Sequence, residues 1–275
     1  MPELPEVQTL IDNLIDEDIL NLKILKVDIF LEKLIKNKTP EEFKKIIINQ
    51  EFKSIERIGK YLIFKLSNNK IMMVHLRMEG KIFIDDNLGS AIDKHTLLVI
   101  WFKNKKMIYN DTRKFGTFHI YNEDDYLTSK ELSKVAIDPL DKNFNWKFLK
   151  NSFEKTNKYI KTGLLDQSKV SGIGNIYADE ILFASQVSPL KKAKDLMDHE
   201  WKKIALNATK ILKLAIDNKG TTIFSYLYKK NAGGEFQQFL QVHLQKNMPC
   251  KKCKTTITKI KVNGRGTYYC AKCQK

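Results

Sequence analysis

The chain has 275 residues, enough for one large or two modest domains, and its 43% hydrophobic content can fill a core. Its longest apolar runs, such as residues 97–102, are strand-sized and far short of the roughly 20 residues that a membrane-spanning helix needs. Lys and Arg number 48 against 32 Asp and Glu, a net charge of +16, so an extended polyanion is the first partner to expect and an anionic membrane surface the second.

Val7, Leu10, Ile11, Leu14 and Ile15 recur at helical spacing and predict an amphipathic first helix, with Pro5 in its first turn, where a missing N–H costs nothing. Thr39-Pro40-Glu41-Glu42 announces a second helix running to about Asn49, with threonine at the cap, proline at the start and Glu42 closing a capping box. Around these lie β-rich runs at 23–35, 52–58, 61–66, 71–78, 81–84, 95–102, 107–110 and 117–121, parted by turn residues such as Ser67-Asn68-Asn69. That many short strands within about a hundred residues predict a sandwich or flattened barrel. The acidic stretch 122–125 and the Asp138-Pro139 break mark a change of character, and from Trp146 to Lys219 the pattern is helical. Within it, Gly163 to Asn175 reads as a helix, a glycine-punctuated turn and the start of a second helix over about 175–185. The N–H groups at that second start form a seat for a phosphate.

All four cysteines fall near the C-terminal end, as Cys250-Lys251-Lys252-Cys253 and Cys270-Ala271-Lys272-Cys273 with sixteen residues between the pairs. Two such knuckles deliver four thiolates to one tetrahedral Zn²⁺. With all four positions filled by sulfur no coordination site stays open, so the ion is expected to be structural, one per chain, clipping a hairpin too small to bury a core. The rival reading is a pair of disulfides, which the absence of a recognisable secretory signal and the spacing disfavour.

The first six residues, Met1-Pro2-Glu3-Leu4-Pro5-Glu6, carry chemistry if Met1 is removed, as a following proline permits. The terminal group is then the secondary amine of Pro2. An α-amino group has a reference pKa near 7.7–8.0, well below lysine, and so is more often neutral and nucleophilic. Attack on an aldehyde-level carbon gives an iminium, an electron sink, and Glu3 and Glu6 are near enough to move protons. A Met-Pro start is common, and by itself it carries no function.

Its company is what distinguishes it. From Pro2 to Lys275 the chain resembles the formamidopyrimidine-DNA glycosylase family. The resemblance rests on Pro2-Glu3-Leu4-Pro5-Glu6, Gly59-Lys60-Tyr61, His75-Leu76-Arg77-Met78-Glu79-Gly80 and Asp111-Thr112-Arg113-Lys114-Phe115-Gly116. It continues through Leu165-Asp166-Gln167, Gly172-Ile173-Gly174-Asn175-Ile176-Tyr177 and Gly264-Arg265-Gly266-Thr267-Tyr268-Tyr269-Cys270. It implies a multi-domain α+β fold: an N-terminal β-sandwich with flanking helices over residues 1–130, a helix-two-turn-helix domain with a lesion-recognition loop over 131–246, and a zinc-ribbon finger over 247–275. The function it implies is a bifunctional DNA glycosylase/AP lyase of base-excision repair. Such an enzyme excises oxidised purines (8-oxoguanine, formamidopyrimidines) through an N-terminal proline Schiff base followed by β,δ-elimination.

Position by position, the resemblance makes Pro2 the nucleophile at C1′, Glu3 the acid/base that assists sugar opening and Glu6 a buried partner that orders the N-terminus. Lys60 falls near the lesion's phosphate and sugar; outside its Gly-Lys-Tyr context it would read as a solvated lysine. A flipped base leaves a gap in the stack, and Met78, Arg113 and Phe115 match the residues that fill it. Residue type alone would make Met78 and Phe115 core residues and Arg113 a phosphate contact. His75, Lys161, Asn175 and Arg265 match residues that grip phosphates around the flipped nucleotide. On their own, His75 is equally a satisfied histidine on a strand, and Asn175 a helix cap. Glu79, Thr221 and Tyr226 are expected at the lesion, with the polar, glycine-ended stretch 229–234 as a lid.

Two departures stand out. Phe224 occupies a position where relatives commonly carry arginine, and Gln241-Val242-His243-Leu244-Gln245-Lys246 replaces a stretch that usually contains Tyr-Gly-Arg. Neither touches Pro2, Glu3 or the cysteines, so activity is expected to persist with a shifted lesion preference. The expected partner is double-stranded DNA containing oxidised bases, met in the cytoplasm at the nucleoid by a protein for which a monomer suffices and no membrane is needed. The competing functions are an endonuclease VIII-like glycosylase for oxidised pyrimidines and a non-catalytic damaged-DNA binder.

Overall fold

A computed structural model of the chain describes residues 1–153, 155–221 and 233–275 and divides into two compact units, Met1–Ser133 with Lys219–Gly234 and Lys134–Asn218 with Glu235–Lys275. In the first unit, helix α1 (Leu4–Asp16) buries Leu4, Val7, Leu10, Ile11 and Leu14, while Ile15, expected on the same stripe, is 40% exposed. Helix α2 (Pro40–Ile47) starts on its capping box: Thr39 N–H donates to Glu42 and Glu42 N–H to Thr39 Oγ1. It stops short of Asn49, which takes a left-handed φ of 67°.

The strands are β1 (Lys26–Ile29), β2 (Phe52–Ile58), β3 (Tyr61–Leu66), β4 (Lys70–His75), β5 (Lys81–Asp85), β6 (Thr96–Trp101), β7 (Lys106–Asn110) and β8 (Thr117–Asn122). They form two four-stranded antiparallel sheets, β1-β6-β7-β5 and β2-β3-β4-β8. Aromatic rings join the sheets through one core. Phe52 meets Phe102 edge-on at 6.1 Å and Tyr109 meets Phe118 at 5.0 Å, with α1 and α2 adding their apolar faces. The expected 23–35 strand is broken because it serves both sheets: Lys23 bridges Glu51, β1 pairs with β6, and Ile35 bridges Phe118 of β8. Likewise β4 ends at His75, before the left-handed Arg77 (φ 55°) turns the chain.

The second unit holds α3 (Trp146–Phe153), α4 (Ile160–Leu164), α5 (Asn175–Ser185) and α6 (Asp198–Asp217), then the hairpin β9 (Thr258–Val262) and β10 (Arg265–Tyr269). Phe153 stacks on Trp201 at 5.7 Å to join α3 to α6. The α4–α5 turn is stitched by Gln167, which donates to the carbonyls of Leu165 and Ile173 and accepts Gly172 N–H. Helix α5 is buried on nearly every side, and two acids, Asp179 and Glu180, lie within it. The Asn263-Gly264 turn of the hairpin takes φ 45° and 79°, the left-handed pair that a two-residue turn between antiparallel strands requires. No described helix is long and apolar enough to cross a membrane.

Candidate functional site

In the first unit, Pro2, Glu3 and Glu6 are all buried at the head of α1. With Met1 in place the terminal amine is that of Met1, one residue ahead of Pro2, whose nitrogen is then a peptide nitrogen. Burial is the largest influence on this amine and lowers its pKa; Glu3 and Glu6 pull it back up, Lys60 lowers it further and Glu79 raises it. An amine placed here is thus neutral more often than one in water. Lys60 is 5% exposed and so is not a solvated lysine.

Glu6 is occupied. One oxygen accepts Glu3 N–H at 2.9 Å, and the other accepts Thr221 N–H at 2.9 Å and Thr221 Oγ1 at 3.1 Å. Gly220 lies against it at φ +68°, where a Cβ would sit 2.8 Å from Glu6 Oε1, so a side chain fails there on both counts. Glu6 thereby ties the head of α1 to residue 221, and Thr221, expected at the lesion, spends both donors on this tie. Tyr226, Phe224 and most of the 229–234 stretch lie outside the described residues.

Two turns carry the expected void fillers. In the turn after β7, Asp111 is 1% exposed, and its carboxylate accepts the N–H groups of Arg113, Phe115 and Gly116, each at 2.9 Å, and the Tyr109 hydroxyl at 3.2 Å. This pulls the backbone into a loop that pushes Arg113 and Phe115 outward. Phe115 is 52% exposed and therefore no core residue, with the Arg113 guanidinium 4.9 Å from its ring centre. The turn after β4 presents Met78, half-buried. Gly80 and Gly116 converge on the Tyr109 hydroxyl, where added Cβ atoms would stand 2.5 and 1.6 Å from it. Thr112 Oγ1 donates to Glu79, a second tie between the turns. Glu79, expected at the lesion, is thus engaged by Thr112.

His75 is buried and edge-on to Tyr61 at 4.5 Å. Its Nδ1 accepts Arg77 N–H at 2.9 Å, and burial, then Arg77, Lys60 and His119, pull its pKa down to about 3. The ring is neutral with its proton on Nε2, a tautomer assigned from that hydrogen bond.

In the second unit, Arg265 opens β10 and is exposed. Lys161 is 1% exposed: Nζ donates to Gly266 O and Thr267 Oγ1, both at 2.8 Å, and lies 2.7 Å from Asp179 Oδ1 in an ion pair not aligned as a hydrogen bond. Asn175 does not cap its helix. Gly174 is the N-cap, and Asn175 Nδ2 donates to Gly266 O at 3.0 Å. The replaced linker is firmly held as well. Glu180 accepts the N–H groups of Gln241, Val242 and His243 at 2.8 to 2.9 Å, against a burial that pushes its carboxyl pKa up, while His243 Nδ1 meets Asp179 Oδ2 at 2.8 Å. Leu244 takes a left-handed φ of 62°, which costs a residue with a side chain about 1 kcal/mol.

Cys250, Cys253, Cys270 and Cys273 are unbridged, and their sulfurs all lie within 4.8 Å of one another, with 3.9 Å between Cys250 and Cys273 and 3.4 Å between Cys253 and Cys270. A tetrahedral ion with bonds near 2.3 Å sets sulfurs ~3.8 Å apart, so the set fits Zn²⁺. The chain takes one structural zinc ion, which supplies no reactive position.

Sequence reasoning missed Asp111, Tyr109, Asp179, Glu180 and His243 as organisers. An aspartate followed closely by a glycine was the available signal for Asp111. Consecutive acids inside an otherwise apolar helix were the signal for Asp179 and Glu180.

Fold and site together define a helix-two-turn-helix protein with a β-sandwich head and a four-thiolate ribbon. Comparison with known families agrees: residues 1–118 match the formamidopyrimidine-DNA glycosylase N-terminal domain, 135–226 the H2TH domain of the same glycosylase, and 249–275 the zinc finger found in FPG and IleRS. The formamidopyrimidine-DNA glycosylase of Ureaplasma parvum is 52% identical over 275 residues, with all of both chains covered. Among solved structures, a Lactococcus lactis FPG variant bound to DNA containing Fapy-dG superposes with TM-score 0.94 at 34% identity, covering all of both chains. A MutM bound to DNA containing carbocyclic 8-oxo-G gives 0.92 at 34% identity, again over all of both chains. The chain belongs to the formamidopyrimidine-DNA glycosylase family.

Proposed function

We propose that this chain is a bifunctional DNA glycosylase/AP lyase of base-excision repair that excises 8-oxoguanine and formamidopyrimidines from double-stranded DNA. It works as a monomer in the cytoplasm at the nucleoid, with a catalytic sandwich over 1–130, a DNA-binding body over 131–246 and a finger over 247–275. The observation that carries this reading is the head of α1, where Pro2, Glu3 and Glu6 are buried and Lys60, buried too, acts on the chain terminus. Once Met1 is lost, the neutral Pro2 nitrogen attacks C1′ as the bond from C1′ to the base breaks. Glu3 serves the opening sugar as acid/base, and Glu6, which accepts Glu3 N–H and both donors of Thr221, holds the head of α1 in place. The iminium acidifies the sugar, and loss of the 3′ and then the 5′ phosphate cuts the strand on both sides before water releases the enzyme.

Met78, Arg113 and Phe115 fill the vacated stack, the guanidinium facing the orphaned base. His75, Asn175 and Arg265 position the flanking backbone, Lys161 supports them, and Thr221, Tyr226 and Glu79 belong to the lesion side. The test is sodium borohydride trapping on duplexes containing 8-oxoguanine opposite cytosine or an oxidised thymine. A covalent adduct on the purine lesion, lost in chains that retain Met1 and so keep the Pro2 nitrogen in a peptide bond, is the expected result. A preference for oxidised thymine would move the chain to the endonuclease VIII-like class, and binding without an adduct would make it a damaged-DNA binder.

A further inference from the structure

Three segments of the second unit converge on one buried carboxylate. Asp179 on α5, 1% exposed, faces Lys161 Nζ from α4 at 2.7 Å, His243 Nδ1 from the linker at 2.8 Å and Tyr268 N–H from β10 at 3.3 Å. His243 also packs edge-on to Tyr268 at 5.0 Å. Through Lys161 the same carboxylate reaches Gly266 O and Thr267 Oγ1, and Asn175 donates to that Gly266 carbonyl, directly beside Arg265. The zinc ligands hold the base of the ribbon and do not by themselves fix where Arg265 points, because Arg265 lies roughly 17 Å of extended strand from Cys270, the nearest of them along the chain. What lies against the hairpin at that height is the Asp179 cluster. A buried carboxylate with one ion-pair partner and two hydrogen-bond partners from three segments has a defined geometry and tolerates little drift, since each partner lost leaves it less compensated.

We propose that Asp179 is a positioning residue for Arg265. By holding Lys161, His243 and the Tyr268 amide together it fixes hairpin β9–β10 on α5 and so sets where the guanidinium meets a DNA phosphate. Lys161 then serves the phosphate through the hairpin rather than by touching it. The inference rests on the reading of this chain as a DNA-binding enzyme that uses Arg265 as a phosphate grip.

Charge alone makes the opposite forecast, which gives the experiment its discrimination. Removing a carboxylate from a protein of net charge +16 should tighten DNA binding. We would measure the affinity of the zinc-loaded full chain for a duplex bearing a tetrahydrofuran abasic analogue, across a salt series. The variants are Asp179→Asn, His243→Phe, Arg265→Gln and the two double variants with Arg265→Gln, with the cobalt-thiolate spectrum reporting an intact ribbon.

The expected outcome is that Asp179→Asn weakens binding by about tenfold and lowers the salt slope by about 0.9, like Arg265→Gln, and adds little in the Arg265→Gln background. His243→Phe, which keeps the ring packing on Tyr268, should do the same to a smaller degree. It decides the matter alone if Asp179→Asn loses the cobalt spectrum. Unchanged or tighter binding, or the same fold-loss with and without Arg265, would overturn the inference alone. An Arg265→Gln variant that binds like the parent would overturn the phosphate-grip reading, and the inference with it.

Discussion

The amine at the head of α1 sets how the reaction should answer to pH. Only its neutral form attacks C1′, so the trapping rate should rise with pH and level off. Burial lowers the pKa of the terminal amine on Met1, and Pro2 is itself buried, so the midpoint should fall below the 8.0 of an ordinary α-amine. Lys60 is among the groups that lower it, so Lys60→Met should move the midpoint to higher pH whatever it does to the maximum rate; initial trapping rates from pH 5.5 to 9 would show this. A midpoint unmoved by Lys60→Met would remove Lys60 from the neighbourhood of the amine. His75 gives a second, independent test. Its ring is neutral at any working pH, so as a phosphate contact it donates from Nε2 without releasing a counterion. His75→Gln should therefore weaken duplex binding several-fold with no change in salt slope, whereas Arg265→Gln lowers the slope. At this scale the sequence named the side-chain types well and their environments poorly. Nothing local in the pattern says that Lys60 is buried, that Lys161 ends on the hairpin, or that Thr221 turns to a glutamate 215 positions away.

Among the elements, those whose signals are local could be read directly: the α1 stripe, the Thr39 capping box, the short strands of both sheets and the start of α5 at Asn175. Segments whose role is set by distant partners could not. The 23–35 run has strand composition throughout, yet only Lys26–Ile29 pairs as a strand, because its ends go to the other sheet. The turn that follows β7 shows the same limit with a functional cost. Its sequence names Arg113 and Phe115, but the carboxylate that shapes it is Asp111, collecting three backbone N–H groups and a hydroxyl. Asp111→Asn keeps the size and replaces one acceptor oxygen with an NH₂, leaving buried N–H groups facing a donor at about 1–3 kcal/mol each. Urea melts should lose about 2 kcal/mol. Single-turnover excision of 8-oxoguanine should fall further than that loss explains, because Arg113 and Phe115 are no longer held outward. Full excision at saturating protein would show that the fillers find their places without this turn.

For the molecule as a whole, the order of parts follows from changes in periodicity, from alternation to helical spacing to paired cysteines, and the family matches fall in that order. What periodicity hides is dependence, and the ribbon has the most of it. Its apolar cluster is small: Cys250, Ile257, Val242, Tyr268 and Cys270 with Phe183 of α5, two of the six being zinc ligands. A cluster of that size cannot offset the conformational entropy of ordering the hairpin, whereas a four-thiolate zinc site supplies roughly 10–16 kcal/mol. Stripping zinc with a chelator should therefore unfold β9 and β10 while leaving the sandwich intact, since α1, α2 and the two sheets bury their own large core. Hydrogen exchange read by mass spectrometry should show residues 258–269 losing protection while β3, β4 and β8 keep theirs. Duplex affinity should fall at least as far as in Arg265→Gln, because the guanidinium loses its scaffold rather than its charge alone. Continued protection of 258–269 in the stripped protein would mean that the Asp179 cluster holds the hairpin without the metal, and zinc would then be an addition to the fold instead of its condition.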